Sequence, residues 1–588
     1  MRAPTVLVAL SAVGFGGLCP QVLAGCKLNT MAALPVTMDG LKPRVPAKIN
    51  GADAWFILDS GGLWNMMSPA AAAQFKLSPR PFKGLQLQGV GGVFDVSAVN
   101  VKSFNLAGLP FTDVKFLVGG SEPGGGAAGL LGQNLLRIWD VDYDLANGVV
   151  KLVKPVDCAD KPLVYWTQTQ PYSMIKINGT SDREPHTGAT LYINGAAAKV
   201  WFDTGASLSF MTLHTAARAG IKPDSPGVVE AGVIGGLGRD GAKTWIATFA
   251  DFKIGDEEIH NARLRFGDVR SGDFDLLLGA DFFLSHHIFV ATSQGKMYFT
   301  YNGGPVFNLN PQPAPAAAAA EGSPDEGVQT SDAADFARRG TALAARHDFV
   351  RAIAELTRAC ELKPDEPQYF YERGMAHSGN GEASLAGADF DQVLKLRPND
   401  LLALVARARL HAEAHDHPQA IADLDAADRV APKEADVRLQ MADLYDSSNA
   451  FSSAISQYDR WIAAHEVDSR RAVALASRCR DRAMLNQELN KALVDCNSAL
   501  DLYSHENAWL ESRGLVHLRR GDLNSSIWDF NAVIKSDPHA FWALYGRGVA
   551  QMRKGKTAEG QADIKAAEAL HPGITAEATE RGFSSSPQ

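Results

Sequence analysis

The sequence predicts two kinds of structure in one chain: an all-β N-terminal part built as two tandem lobes, and an all-α C-terminal solenoid. Three observations predict this. Before residue 308, β-branched and aromatic runs such as 55–58, 114–118 and 199–202 alternate with glycine-rich turns, the pattern of short strands. After residue 330 the apolar spacing becomes helical and recurs at a fixed interval. Within the β part, a stretch near residue 50 returns in the same order near residue 194.

Bulk properties set the frame. At 588 residues the chain exceeds what one core supports, so several domains are expected. A hydrophobic fraction of 46% and a charged fraction of 21% are those of globular protein, and a net charge of -9 gives no reason to expect nucleic acid as a partner.

The first element is a leader over residues 1–25. Arg2 precedes an apolar run over 5–18 that is too short to span a bilayer. The protein is therefore expected to be exported, to the periplasm or cell envelope of a bacterium, and no later stretch reaches spanning length. Val22-Leu23-Ala24 has the small-residue spacing of signal cleavage, while Leu23-Ala24-Gly25-Cys26 resembles the lipobox of bacterial lipoproteins. The first reading frees Cys26 to pair with Cys158 in an oxidising compartment; the second gives Cys26 a lipid anchor. Cys19, Pro20 and Gln21 interrupt the run into the lipobox, which favours the disulfide.

The lobes are placed at 36–155 and 170–303. Ile49-Asn50-Gly51 precedes Trp55-Phe56-Ile57-Leu58-Asp59-Ser60-Gly61, and Ile193-Asn194-Gly195 precedes Val200-Trp201-Phe202-Asp203-Thr204-Gly205. The offset between copies is 144 (194 − 50 and 203 − 59). Asn-Gly between extended runs signals a hairpin, so each aspartate ends a second strand and opens a tight turn. Gly129-Leu130-Leu131-Gly132 and Leu276-Leu277-Leu278-Gly279 follow at 73 and 76 residues (132 − 59 and 279 − 203).

An apolar strand, Asp-Ser/Thr-Gly, then an apolar pair and glycine resembles the retropepsin-like aspartic protease family, and does so twice. The resemblance covers about residues 36–303. It implies that Asp59 and Asp203 meet as a catalytic dyad, that Ser60, Gly61, Thr204 and Gly205 form the active-site loops, and that the strands ending at Leu131-Gly132 and Leu278-Gly279 support them. Two adjacent carboxyls share one proton and so supply a base for water and an acid for the peptide carbonyl, with neither metal nor other cofactor. Gly61 and Gly205 leave room for close approach, and the Ser60 and Thr204 hydroxyls brace the two loops. By position, Gly89-Val90-Gly91 and Gly235-Gly236 resemble flaps that close over substrate. One departure stands out: Gly62 follows the first motif where the family usually has Ala, Ser or Thr, whereas Ala206 follows the second.

Residues 308–330, rich in proline and alanine, have linker composition. Beyond them Pro364, Pro398 and Pro432 lie 34 apart (398 − 364 and 432 − 398), as do Pro538 and Pro572. Gly340, Gly374, Gly514 and Gly548 recur where paired helices cross, and Ala352, Ala386, Ala420, Ala454 and Ala492 recur at a small position of the second helix. This resembles tetratricopeptide repeats (TPRs), about seven helical pairs over 333–572 with some four extra residues near 469–472. Such repeats imply a protein partner. Cys479 and Cys496 face each other in one pair, as a bridge or as buried thiols.

Other features read as structural. The run Gly124-Gly125-Gly126 lacks the Gly-Lys-Ser/Thr of a phosphate loop, and His411 and His415 lack a correctly placed glutamate for zinc. His286-His287 shows no partner in the sequence. The expected function is an aspartic endopeptidase acting on protein or peptide substrates. The alternative is a catalytically degenerate pair that holds peptides and works mainly through its repeats.

Overall fold

Each Asn-Gly pair forms the hairpin that its sequence demands. Asn50 and Gly51 have φ of 48° and 89°, Asn194 and Gly195 of 47° and 77°, so both residues of each turn are left-handed and the flanking strands twist together. The computed structural model of the chain describes residues 25–583 apart from 90–91, 122, 160, 168–169, 179–185, 237–240, 270–273, 308–331, 467 and 503–505. The expected leader, except Gly25, and the expected linker 308–330 lie outside the described residues.

The first lobe is an eight-stranded sheet closed by a second pairing of Lys42–Ile49 with Gly92–Leu106. The second is a seven-stranded sheet closed in the same way, Gly188–Ile193 pairing with Gly241–Ile254. In each, the strand leading to the aspartate is flanked by its hairpin partner and, in parallel, by a short strand: Ala52–Leu58 beside Gly129–Leu131, and Ala196–Phe202 beside Leu276–Leu278. Both short strands are buried throughout, which is why they read as unbroken apolar runs.

A third sheet joins the lobes. Its six antiparallel strands run in the order Lys27–Pro35, Val149–Val156, Asp140–Asp144, His286–Ala291, Lys296–Tyr301 and Ser173–Lys176. The central pairing of Asp140–Asp144 with His286–Ala291 is between the two lobes of the same chain. His287 has a partner after all: its Nε2 lies 2.7 Å from Asp142 Oδ1 across this seam, and its ring stacks on Trp166. Cys26, just before the first strand of the sheet, and Cys158, two residues past Val149–Val156, form a disulfide that ties these paired strands together.

Among the described residues the helical part is seven antiparallel pairs from Ala333 to Leu570, followed by the short helix Ile574–Glu580. Side-chain volume explains the repeating glycine. A Cβ on Gly374 would lie 2.7 Å from the Phe390 ring, and one on Gly514 2.8 Å from Phe530. Where the glycine position holds Cys479, the facing position holds Cys496 in place of an aromatic ring, and the two form a disulfide. An arginine beside this position pairs with an aspartate of the second helix: Arg373 with Asp389, Arg407 with Asp423, Arg513 with Asp529 and Arg547 with Asp563, each 16 residues on. Arg478 and Asp495 are 17 apart, and Ala442 to Cys479 spans 37 residues (479 − 442). The extra residues expected near 469–472 are therefore divided: three lie between Tyr458 and Cys479, around the link 465–470, and one between Cys479 and Cys496.

The first helix, Ala333–Ala345, is shared between the two parts. Its Ala342 and Ala345 belong to the same hydrophobic core as the β strands, and its Thr341 Oγ1 accepts the Met38 amide at 3.3 Å.

Candidate active site

Asp59 and Asp203 are delivered to one place by the strand pairs just described. The Asp59 amide donates to Leu131 O at 3.0 Å and the Asp203 amide to Leu278 O at 2.9 Å, so each supporting strand fixes the start of its turn. Inside the turns, Oδ1 of Asp59 accepts from the Gly61 and Gly62 amides at 3.1 and 2.6 Å. Oδ1 of Asp203 accepts from Gly205 and Ala206 at 2.9 and 3.2 Å.

The turns then interlock. Ser60 N donates to Thr204 Oγ1 and Thr204 N to Ser60 Oγ, at 3.0 and 2.9 Å. Each hydroxyl in turn donates to the strand behind the opposite turn, Ser60 to Phe202 O at 2.9 Å and Thr204 to Leu58 O at 2.7 Å. Gly61 and Gly205 show the result for the carboxyls: a Cβ on Gly61 would lie 2.2 Å from Asp203 Cγ, and one on Gly205 2.5 Å from Asp59 Cγ. Each glycine is the space that the other lobe's carboxyl occupies.

Burial holds the Asp59 carboxyl well above its ordinary range, and the hydrogen-bonded Asp203 carboxyl beside it acts in the same direction. The Gly62 and Gly61 amides oppose this without cancelling it.

Gly62, the irregular residue of the first motif, acquires a reason. A Cβ there would lie 2.6 Å from Asp59 Oδ2 and 2.9 Å from Cγ, so glycine lets the carboxyl settle over the residue 62 amide.

Around the turns lies a layer of polar residues outside the repeated sequence motifs. In the first lobe Gly132 N donates to Asn65 Oδ1 and Asn65 N to Asn134 Oδ1, while Gln133 Nε2 holds Ser60 O at 2.6 Å. In the second, Gly279 N donates to Ser209 Oγ, and Ser209 donates through both N and Oγ to Asp281. The two networks are one design with Asn65–Asn134 exchanged for Ser209–Asp281. Burial pushes the Asp281 carboxyl up to about 6, with the Ser209 hydrogen bonds restraining the rise. Below the turns the buried Tyr143 hydrogen-bonds to Ser60 and packs edge-on against Phe283. A signal was present: Asn65 and Ser209 keep the offset of 144, and Asn134 and Asp281 each lie two residues past the closing glycine of the supporting-strand motif.

The flap candidates lie on hairpins. Gly89 pairs with Gly92 at the end of the first, whose Val90 and Gly91 lie outside the described residues. Gly235 pairs with Gly241 in the second, and Gly236 O accepts Ser121 Oγ of the first lobe at 3.4 Å. Among the described residues no cluster of three or more His, Cys, Asp or Glu is placed to hold a metal ion, and no helix is long and apolar enough to cross a membrane.

Comparison with known proteins agrees with this division. Residues 45–135 and 189–282 each match the aspartyl protease family model, and 337–400 and 511–573 match that of tetratricopeptide repeats. No curated protein sequence matches the chain. Among solved structures, a tetratricopeptide repeat protein from Parabacteroides merdae is similar at 15% identity and TM-score 0.32, over 42% of this chain and 98% of that one. The Cut9–Hcn1 hetero-tetramer is similar at 12% and 0.30, over 37% and 43%, and the TPR protein YrrB at 16% and 0.23, over 39% and 98%. The chain thus joins two tandem aspartyl-protease-family domains to a solenoid of tetratricopeptide repeats.

Proposed function

We propose that the chain is an aspartic endopeptidase whose single active site is the Asp59–Asp203 pair. The observation that carries this is the mutual fit of the two turns, in which each glycine makes room for the opposite carboxyl. With one proton shared, the ionised partner takes a proton from water and the protonated partner gives one to the substrate carbonyl. The water oxygen attacks the carbonyl carbon; the carboxyl that took the water proton then gives it to the amide nitrogen while the other takes one back from a hydroxyl of the tetrahedral intermediate, and the C–N bond breaks to release the amine. Because Asp59 is held above the ordinary carboxylate range, the singly protonated pair persists into mildly acidic conditions and is lost as pH rises.

The tetratricopeptide repeats are a protein-interaction module, and we take the substrate to be polypeptide. Export to the cell envelope suits the Cys26–Cys158 and Cys479–Cys496 disulfides, which persist in oxidising compartments. With Cys26 paired in this way, the disulfide is preferred to a lipid anchor. The rival reading, a silent peptide-holding pair that acts through its repeats, draws on Gly62. It loses force because the residue 62 amide binds Asp59 directly.

The test is digestion of a denatured protein by the purified mature chain at mildly acidic pH. Wild type should cleave and Asp203→Asn should not; equal absence of cleavage in both across pH would end the enzyme reading.

A further inference from the structure

The two lobes carry the same row of side chains beside their aspartates, with different chemistry in it. Successive residues of a strand face opposite sides of a sheet. Phe56, Leu58 and Phe202 lie in the main hydrophobic core, so Ile57 shares the other face with Asp59, and Trp201 with Asp203. From Ile57 the register runs straight across the first lobe to Leu130, Met66, Leu117 and Ala98. From Trp201 it runs across the second lobe to Leu277, Phe210, Arg265 and Ile246. The rows correspond position by position, and Arg265 stands where the first lobe has Leu117.

The first row is apolar throughout: Ile57, Met66, Leu117 and Leu130 pack with Phe94 and Val96 as a cluster separate from the main core. In the second lobe the matching place holds a guanidinium. Arg265 Nη1 donates to Ala231 O at 2.7 Å and to Thr244 Oγ1 at 2.8 Å. Thr244, which stands where the first lobe has Val96, donates in turn to Gly232 O at 2.9 Å. Ala231 and Gly232 form the irregular stretch between Glu230 and Val233, so Nη1 is spent on the fold of its own lobe. Nε is buried without an acceptor, and among the described residues no carboxylate pairs with Arg265. Burial weighs on this charge with no anion opposing it. An arginine withdrawn from water is ordinarily paired, and here the chain leaves the pairing open.

We infer that the lobes offer chemically different side-chain subsites: an apolar one on the Asp59 side and, at Arg265, one for a carboxylate on the Asp203 side. The substrate is then a polypeptide with an acidic residue on one side of the cleaved bond and an apolar residue on the other. A guanidinium holds a carboxylate by charge-assisted hydrogen bonds, so the substrate supplies the missing partner of Arg265. Arg265 lies three strands from the strand that ends at Asp203, about 14 Å at ordinary sheet spacing. An extended peptide advances about 3.3 Å per residue, so the acidic residue sits a few positions from the cleaved bond rather than at it. This rests on reading the Asp59–Asp203 pair as a peptidase site.

The test uses the full chain and two readouts. Cleavage sites in a mixture of denatured proteins, mapped by mass spectrometry, should show Asp or Glu enriched at least about fivefold within a few residues on one side of the bond. Arg265→Leu, which copies the first lobe, should abolish that enrichment, and Arg265→Lys, which keeps the charge, should retain part of it. A merely structural role for Arg265 would slow cleavage of all sites alike and leave their ratio unchanged. Binding is read separately in Asp203→Asn by fluorescence anisotropy. There a labelled apolar peptide carrying one glutamate should bind at least about tenfold more tightly than its glutamine counterpart, and adding Arg265→Leu should make the two equal. A wild type without acidic enrichment at its cleavage sites, or a glutamate preference that survives Arg265→Leu, overturns the inference. If the wild type cleaves nothing, the peptidase reading fails, and the binding comparison still decides the subsite: a glutamate preference that depends on Arg265 upholds it, and equal binding removes it.

Discussion

Ser60 and Thr204 give their backbone amides to each other's hydroxyl oxygens across 144 residues of sequence, and each hydroxyl passes its own proton to the strand behind the other turn. All four bonds are buried and cross between lobes, so removing one hydroxyl strands an amide and a carbonyl in the opposite lobe. Thr204→Ala is expected to cost about 1–3 kcal/mol, read as a fall in denaturant midpoint, and Thr204→Ser much less. Adding Ser60→Ala should cost less than the sum of the two single changes, because the pair acts as one network.

Gly62 allows a test of carboxyl placement separate from folding. Gly62→Ala should move the Asp59 carboxyl off the residue 62 amide and lower kcat/KM about tenfold or more, while Tm changes little because the residue is only half-buried. Gly205→Ala, aimed at the Asp59 Cγ from the other lobe, should be the more damaging of the two in both readouts. An unchanged kcat/KM in Gly62→Ala would remove the steric role assigned to that glycine.

Asp281 predicts a pH dependence of stability. Its folded value of about 6 lies above the ordinary 3.8, so the folded state binds the extra proton between those limits, and stability contributed by this site falls as pH rises from about 4 to about 6. The shift corresponds to about 3 kcal/mol of destabilisation at neutral pH. Asp281→Asn, the residue type that does this job at Asn134, should raise Tm at pH 7 and leave it nearly unchanged at pH 4. An equal effect at both pH values would mean that ionisation of Asp281 is not the cause.

In the solenoid, the Cys479–Cys496 bridge replaces the glycine-against-aromatic packing of neighbouring repeats. It closes a loop of 17 residues, so Cys479→Ala with Cys496→Ala should lose about 3 kcal/mol of solenoid stability, seen in the helical melting transition. Gly514→Ala, with its Cβ driven toward Phe530, should cost about 1–3 kcal/mol by overpacking.

How much of this was legible depended on whether a residue's role leaves a local mark. Asn50-Gly51 and Asn194-Gly195 announce hairpins because few residue pairs adopt their backbone angles. The aspartate turns and supporting strands could be read because both occur twice at matched spacing. The second polar layer was harder: Asn65 and Ser209 differ in type, as do Asn134 and Asp281, so equivalence of role is not identity of letter. His287 shows the limit clearly, since its partner Asp142 is 145 residues away and only the seam between the lobes brings them together. The placement of the extra solenoid residues required the helix ends, because a period alone does not say in which turn an insertion sits.

That both aspartates of one chain make one site is tested most directly by complementation. Asp59→Ala and Asp203→Ala chains are purified separately, mixed in equal amounts, and assayed beside wild type on a denatured substrate at mildly acidic pH. The interlobe strand pairing and the Ser60–Thr204 bonds predict that wild type cleaves and that the mixture, like each variant alone, does not. Cleavage by the mixture at a sizeable fraction of the wild-type rate would contradict the single-chain site.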